Sequence, residues 1–100
     1  MANYIFTNKA VEDLSKIWDY TYEVWSEEQA DKYYCQLLDY CQSLANNQSL
    51  GKKYEKISKE LLGYRANQHI VFYRKLKTND IEILRILHCI MNLKNRIEEL

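Results

Sequence analysis

Apolar residues recur every three or four positions as far as Asn46 and largely every second position after Gly51, so helices come first in this chain and strands second. From Ala10 to Trp25 the stripe is Val11, Leu14, Trp18, Tyr22 and Trp25, widened by Ile17 and Val24, which predicts an amphipathic helix. Directly behind it, Ser26-Glu27-Glu28-Gln29 has the form of a capping box. The Ser hydroxyl satisfies the amide at Gln29, the Gln side chain reaches back, and two acids face the positive end of the helix dipole. A second helix therefore starts here and runs to about Asn46, with Ala30, Tyr34, Leu37, Cys41 and Leu44 on its stripe and Tyr33 and Tyr40 beside it. With almost no linker after Trp25, the two helices fold back as an antiparallel hairpin.

Asn46 to Gly51 is a polar break, and three strand candidates follow it: Leu61 to Ala66, His69 to Lys77 and Ile81 to His88. Thr78-Asn79-Asp80 tolerates positive φ and predicts a tight hairpin between the last two. The final strand is apolar on both parities apart from Glu82 and Arg85, as a central strand covered on both faces would be. At the other end of the chain, Asn3 to Thr7 reads as a short strand, with Thr7 or Asn8 capping the first helix, while Asn92 to Leu100 suggests a short terminal helix. The expected architecture is α+β: an N-terminal strand, then a helical hairpin packed on one face of a small, mainly antiparallel sheet, in the order β-α-α-β-β-β. One hundred residues suffice for one core, hence a single domain over residues 1–100.

Charge divides along the chain although the total is zero. Residues 1–50 carry three Lys against eight acids, a balance of −5, and residues 51–100 carry eleven basic residues against six acids, a balance of +5. A neutral total argues against a general nucleic-acid binder, whereas a basic face in the second half would attract phosphates or an acidic protein. No apolar run approaches the about 20 residues of a membrane span, and the first residues lack the pattern of a signal peptide, so a cytoplasmic protein is expected. Cys35, Cys41 and Cys89 form no CxxC pair, which predicts reduced, mostly buried thiols. Neither the cysteines nor the two histidines are spaced as metal ligands, and no cofactor is expected.

Several segments together resemble a known family: Ala10-x-x-Asp13-Leu14-x-x-Ile17-x-x-Tyr20, then Trp25, Gln29-Ala30 and Tyr33, then Leu44-Ala45-Asn46-Asn47 before Gly51, then His69-Ile70-Val71-Phe72-Tyr73-Arg74, and finally Ile83-Leu84-Arg85-Ile86-Leu87-His88. Their order and spacing look like the RelE/ParE superfamily of bacterial toxins over nearly the whole chain, and the strand pair ending in Tyr-Arg and Leu-His looks most like the ParE branch. The resemblance implies the toxin of a type II toxin–antitoxin (plasmid stabilisation) system, occupied by a cognate ParD-like antitoxin. In the ParE branch the implied target is DNA gyrase, inhibited by binding. In the RelE branch it is mRNA, cut in the ribosomal A site.

Cleavage of RNA by 2′-hydroxyl attack needs a base, an acid near the leaving oxygen and cations on the phosphorane. Arg65, Arg74 and Arg85 are the candidate clamps, Lys52, Lys53 or Glu55 the base, and His69 or His88 the acid. Against this, the ribonuclease branch has an arginine early in the strand where this chain has His69, and a histidine offers no permanent fork of donors. Under the binding reading, Arg65, Arg74, Arg85 and His88 are the expected partner-binding residues. The run Lys52, Lys53, Lys56 and Lys59 is either a solvated connection or an attractor for an acidic antitoxin tail.

Overall fold

The computed structural model describes residues 2–89. Strand β1 (Tyr4–Phe6) leads into helix α1 (Asn8–Val24), and helix α2 (Glu27–Asn46) follows at once. A single 3-10 turn (Gln48–Leu50) then leads to strands β2 (Lys52–Lys53), β3 (Leu62–Ala66), β4 (His69–Lys75) and β5 (Ile81–His88). The order across the sheet is β1-β5-β4-β3-β2. β2 to β5 are antiparallel neighbours, and β1 joins the far side of β5 in parallel, Ile5 opposite Glu82. The hairpin turn between β4 and β5 places Asn79 at φ 74, the conformation its residue type tolerates.

Both helix starts follow from their caps. Thr7 Oγ1 accepts from Ala10 N at 3.1 Å, and Ser26 Oγ accepts from Gln29 N at 3.1 Å. Thr7 also donates its hydroxyl to Leu84 O at 2.9 Å, and its amide bonds Ile83 O at 3.1 Å. One residue therefore ends β1, caps α1 and ties the start of that helix to the middle of β5.

The helices and the sheet enclose the main core. Leu14 of α1 and Leu37, Cys41 and Leu44 of α2 meet Val71, Tyr73, Ile81, Ile83 and Ile86. On the opposite sheet face Leu61, Ile70, Phe72 and Leu87 form a second cluster, flanked by Tyr54, Ile57, Leu84 and Cys89. β5 is thus covered on both sides, as its continuous apolar run predicts.

Its alternation nevertheless slips once. Ile83 and Ile86 share the helix-side core, and Leu84 and Leu87 share the other cluster. Tyr73 is opposite Ile83 and Phe72 opposite Arg85, so one β5 residue has no counterpart between them. A bulge of this kind adds a residue and re-aims the side chains beside it.

Four expectations need correction. The packing stripe of α1 is Ala10, Asp13, Leu14 and Ile17, whereas Val11, Tyr22, Val24 and Trp25 are exposed. The aromatics of this helix are large enough to dominate a periodicity reading, but its hairpin end carries them clear of the sheet. Tyr34 on α2 is likewise at the surface. Among the described residues the sheet has five strands where four were expected, because Lys52–Lys53 pairs with Leu62 and Gly63 as a two-residue edge, too short and too polar to show a period. β4 ends at Lys75, because Leu76 already bonds Asp80 within the turn. Only Cys41 of the three free thiols is buried; Cys35 is exposed and Cys89 is intermediate. The terminal helix expected over 92–100 lies outside the described residues.

Candidate functional site

Arg85 stands in the middle of β5, beside the slipped register, and is 7% exposed. Its guanidinium makes a two-pronged contact with Asp13 on the buried face of α1: Nε donates to Oδ2 at 2.7 Å and Nη2 to Oδ1 at 3.0 Å. The amide of Ile86 donates to the same Oδ2 at 3.0 Å. Such parallel, charge-assisted bonds in a water-poor site are strong and directional. α1 reaches this position because Thr7 fastens its first turn to Leu84 O, which brings its second turn over the next residues of β5.

The two histidines sit together at the end of β4 and β5. His69 is directly opposite His88, their rings edge to face with centroids 5.2 Å apart. His69 Nδ1 lies 2.7 Å from the hydroxyl of Tyr33 on α2. The Tyr33 oxygen also accepts from Gln68 N at 3.4 Å, so the hydroxyl links α2 to the start of β4 at two points. Burial, and then the neighbouring His88, lower the His69 pKa from the ordinary 6.5 to about 4, against a smaller opposing pull from Asp13. His69 is therefore a neutral imidazole at physiological pH, held by a tyrosine.

Arg65 and Arg74 are both exposed and stand near opposite ends of the sheet. Arg65 on β3 is opposite Ile70 and donates from Nε to Asn67 O at 3.1 Å. Arg74 is opposite Glu82 and pairs with it at 2.7 Å. Among the sequence candidates, the fold brings His69 and His88 together, puts Arg65 on the strand next to them and leaves Arg74 at the other end. It turns Arg85 towards Asp13.

On the sheet face opposite the helices an open cleft of about 380 Å³ is lined by Lys52, Tyr54, Gly63, Arg65, Ile70 and Cys89 among others. Gly63 is required here: a Cβ at this position would come within 2.6 Å of the Tyr54 ring. Lys52 Nζ lies 5.5 Å from the centre of that ring, a cation–π distance. Lys52 and Arg65 give the cleft a basic lining, and Lys53, Lys56 and Lys59 are exposed in and after β2. The described residues contain no cluster of His, Cys, Asp and Glu able to hold a metal ion. No helix among them is long and apolar enough to cross a membrane.

Sequence reasoning missed Asp13 and Tyr33 as site residues. A signal for Asp13 was available, since an acid between Ala10 and Leu14 on a helix stripe and an arginine inside an apolar strand each need an opposite charge. Nothing local to Tyr33 pointed to a histidine 36 residues away.

This arrangement is a small α+β fold: a helical hairpin over one face of a mixed sheet, an acid–arginine clasp between them and a cleft lined by Lys52 and Arg65 on the other face. The family model "ParE toxin of type II toxin-antitoxin system, parDE" matches residues 4–93. Toxin ParE1 of Caulobacter vibrioides is 34% identical over 95 residues, covering 92% of this chain and 94% of that protein. Toxin ParE1 of Mycobacterium tuberculosis is 30% identical over 87 residues, covering 87% and 89%. A solved chain described as the chromosomal ParDE TA system from P. aeruginosa superposes with a TM-score of 0.73 at 22% identity, over 88% of this chain and 95% of that one, a likeness of fold. The chain belongs to the ParE toxin family of type II toxin–antitoxin systems.

Proposed function

We propose that this ParE-type toxin works by binding protein: released, it inhibits DNA gyrase, and held, it is covered by a ParD-like antitoxin. The observation that carries the reading is the fate of the cationic and acid–base groups. Phosphoryl transfer on RNA requires free cations around the phosphate and a donor that titrates near neutrality. Here Arg85 is engaged by Asp13 inside the fold, and His69 is half-buried, neutral and within hydrogen-bond distance of the Tyr33 hydroxyl. Membership of the ParE family points the same way.

The antitoxin is assigned to the basic side. Lys52 and Arg65 are exposed in a cleft that Tyr54 and Ile70 also line, and the exposed Lys53, Lys56 and Lys59 lie in and after β2, a combination that suits an extended acidic segment with apolar side chains. Arg65 is the surface candidate of that site, while Arg74, at the other end of the sheet, and His88, beside His69 on the helix side, are proposed as contacts of a partner segment that extends beyond the cleft.

A supercoiling assay with purified gyrase tests the target. Inhibition at micromolar toxin, reversed by the antitoxin, is expected. No inhibition, together with codon-phased cuts in translated mRNA after induction, would replace this reading with ribosome-dependent RNA cleavage.

A further inference from the structure

The closed end of the helical hairpin has a chemistry opposite to that of the basic cleft. Residues 17–31 contain five acids (Asp19, Glu23, Glu27, Glu28 and Asp31) and no Lys or Arg, so this stretch alone holds a charge equal to the −5 of the first half of the chain. The same stretch exposes aromatic surface: Trp25 is 73% accessible and Tyr20 is 66% accessible, with Tyr22 and Val24 also at the surface. Residues 22–29 are exposed without a break, because the hairpin extends past the sheet that it covers.

The surface is ordered. The Trp18 and Tyr22 rings stack at 5.3 Å, nearly parallel at 13°, and Trp18 Nε1 donates to Asp31 Oδ1 at 2.9 Å, which joins the two helices across the seam. Beside that stack, Trp25 and Tyr20 present large aromatic surfaces to water among acids, a contiguous patch of the kind that marks an interaction site. Their electron-rich faces and the carboxylates both attract guanidinium and ammonium groups, the first by cation–π contact and the second by charge pairing. An acidic peptide, the occupant assigned to the cleft, is repelled here.

We infer that the hairpin end is the target-facing surface of the toxin, and that its occupant is a segment of the target protein rich in Lys and Arg, with Trp25 and Tyr20 as anchors and Asp19 and Glu23 as charge partners. This rests on the reading of the chain as a protein-binding toxin. It separates the two encounters by charge: the antitoxin on the basic side, the target on the acidic one. Association with the target then slows as salt rises, because the attracting charges are exposed.

The test uses the full chain, produced with its antitoxin, in three forms: wild type, Trp25→Ala with Glu23→Lys, and Trp25→Phe. Growth arrest after induction of toxin alone is the first readout, and antitoxin affinity and thermal melting of the purified toxin are the others. We expect the double variant to lose toxicity by at least about tenfold in the inducer required, as loss of an aromatic anchor commonly does, with antitoxin affinity and melting unchanged, and Trp25→Phe to restore toxicity. Equal toxicity of wild type and double variant overturns the inference, as does a parallel loss of antitoxin affinity, which would make this surface the antitoxin's. A wild type that arrests growth without inhibiting gyrase removes the gyrase assignment and leaves the comparison of variants in force.

Discussion

Asp13 and Arg85 lie 72 residues apart in sequence and meet as a bidentate pair in which both side chains are about nine-tenths buried. The pair joins the first helix to β5, the strand between β1 and β4, and the Ile86 amide donates to the same carboxylate. Its worth is asymmetric. Taking both charges out of water costs nearly what their attraction returns, whereas removing one partner strands the other in the interior.

Arg85→Ala is therefore expected to destabilise the toxin by about 3–5 kcal/mol, and Asp13→Ala similarly. The double replacement Asp13→Leu with Arg85→Met should recover most of that loss. Urea unfolding of the three variants checks it. If the double variant is stable and still toxic, Arg85 serves the fold; if it is stable and inert, Arg85 also serves a partner.

The neutral His69 makes stability depend on acid. Its pKa in the folded chain is about 4, below the ordinary 6.5 of an unfolded histidine, so the unfolded state binds protons more readily across that interval. The contribution is present in full above about 6.5 and is lost as pH falls towards about 4. Denaturation midpoints should drop between about pH 7 and about pH 5 in the wild type and drop less in His69→Gln. Equal slopes in the two proteins would assign the loss to other groups.

Tyr73 should behave as a fastener for the segment that leads into β2. Its hydroxyl donates to Gln48 O at 2.9 Å and accepts from Gly51 N at 2.9 Å, while its ring is fully buried in the main core. Tyr73→Phe keeps the ring and orphans both backbone groups, for an expected loss of about 1–3 kcal/mol. Amide exchange at Gly51 should accelerate at the same time. Gly51→Ala is expected to be at least as damaging, because its Cβ would fall 2.7 Å from Cε1 of that ring.

The thiols should differ sharply in reactivity. Burial pushes Cys41 up to about 12, and it is fully enclosed in the core, while Cys35 is exposed. Alkylation of the folded toxin near neutral pH should modify Cys35 within minutes and Cys41 only on unfolding. Prompt labelling of Cys41 would show that the helices open over the core.

What could be read ahead of the structure follows from how local each signal is. The Ser26 cap and the Thr7 cap are decided within three residues, and both were legible. The bounds of β5 were legible too, since an apolar run flanked by turn residues needs no outside information. Trp25 misled because periodicity reports where a side chain points around a helix, not whether another element lies there. The bulge beside Arg85 was invisible for a related reason: a one-residue slip is decided by what both strands pack against. The candidate site suffered most. Arg85 and His69 were identified as chemically capable, but the partners that decide their states, Asp13 and Tyr33, arrive from other elements.

The parallel pairing of β1 with β5 also bears on how the toxin is made. Tyr4–Phe6, made before both helices, pairs among the described residues with Ile81–Ile83, which is made after them. Loop closure over that span must precede the contact, which makes the step slow, and the clasp from α1 to Arg85 waits for the same event. A nascent chain interrupted before residue 81 has no seat for its first strand and no completed core. Synthesis thus carries a built-in delay: the core that β1 and the helices share with β5 stays incomplete until that strand has been made.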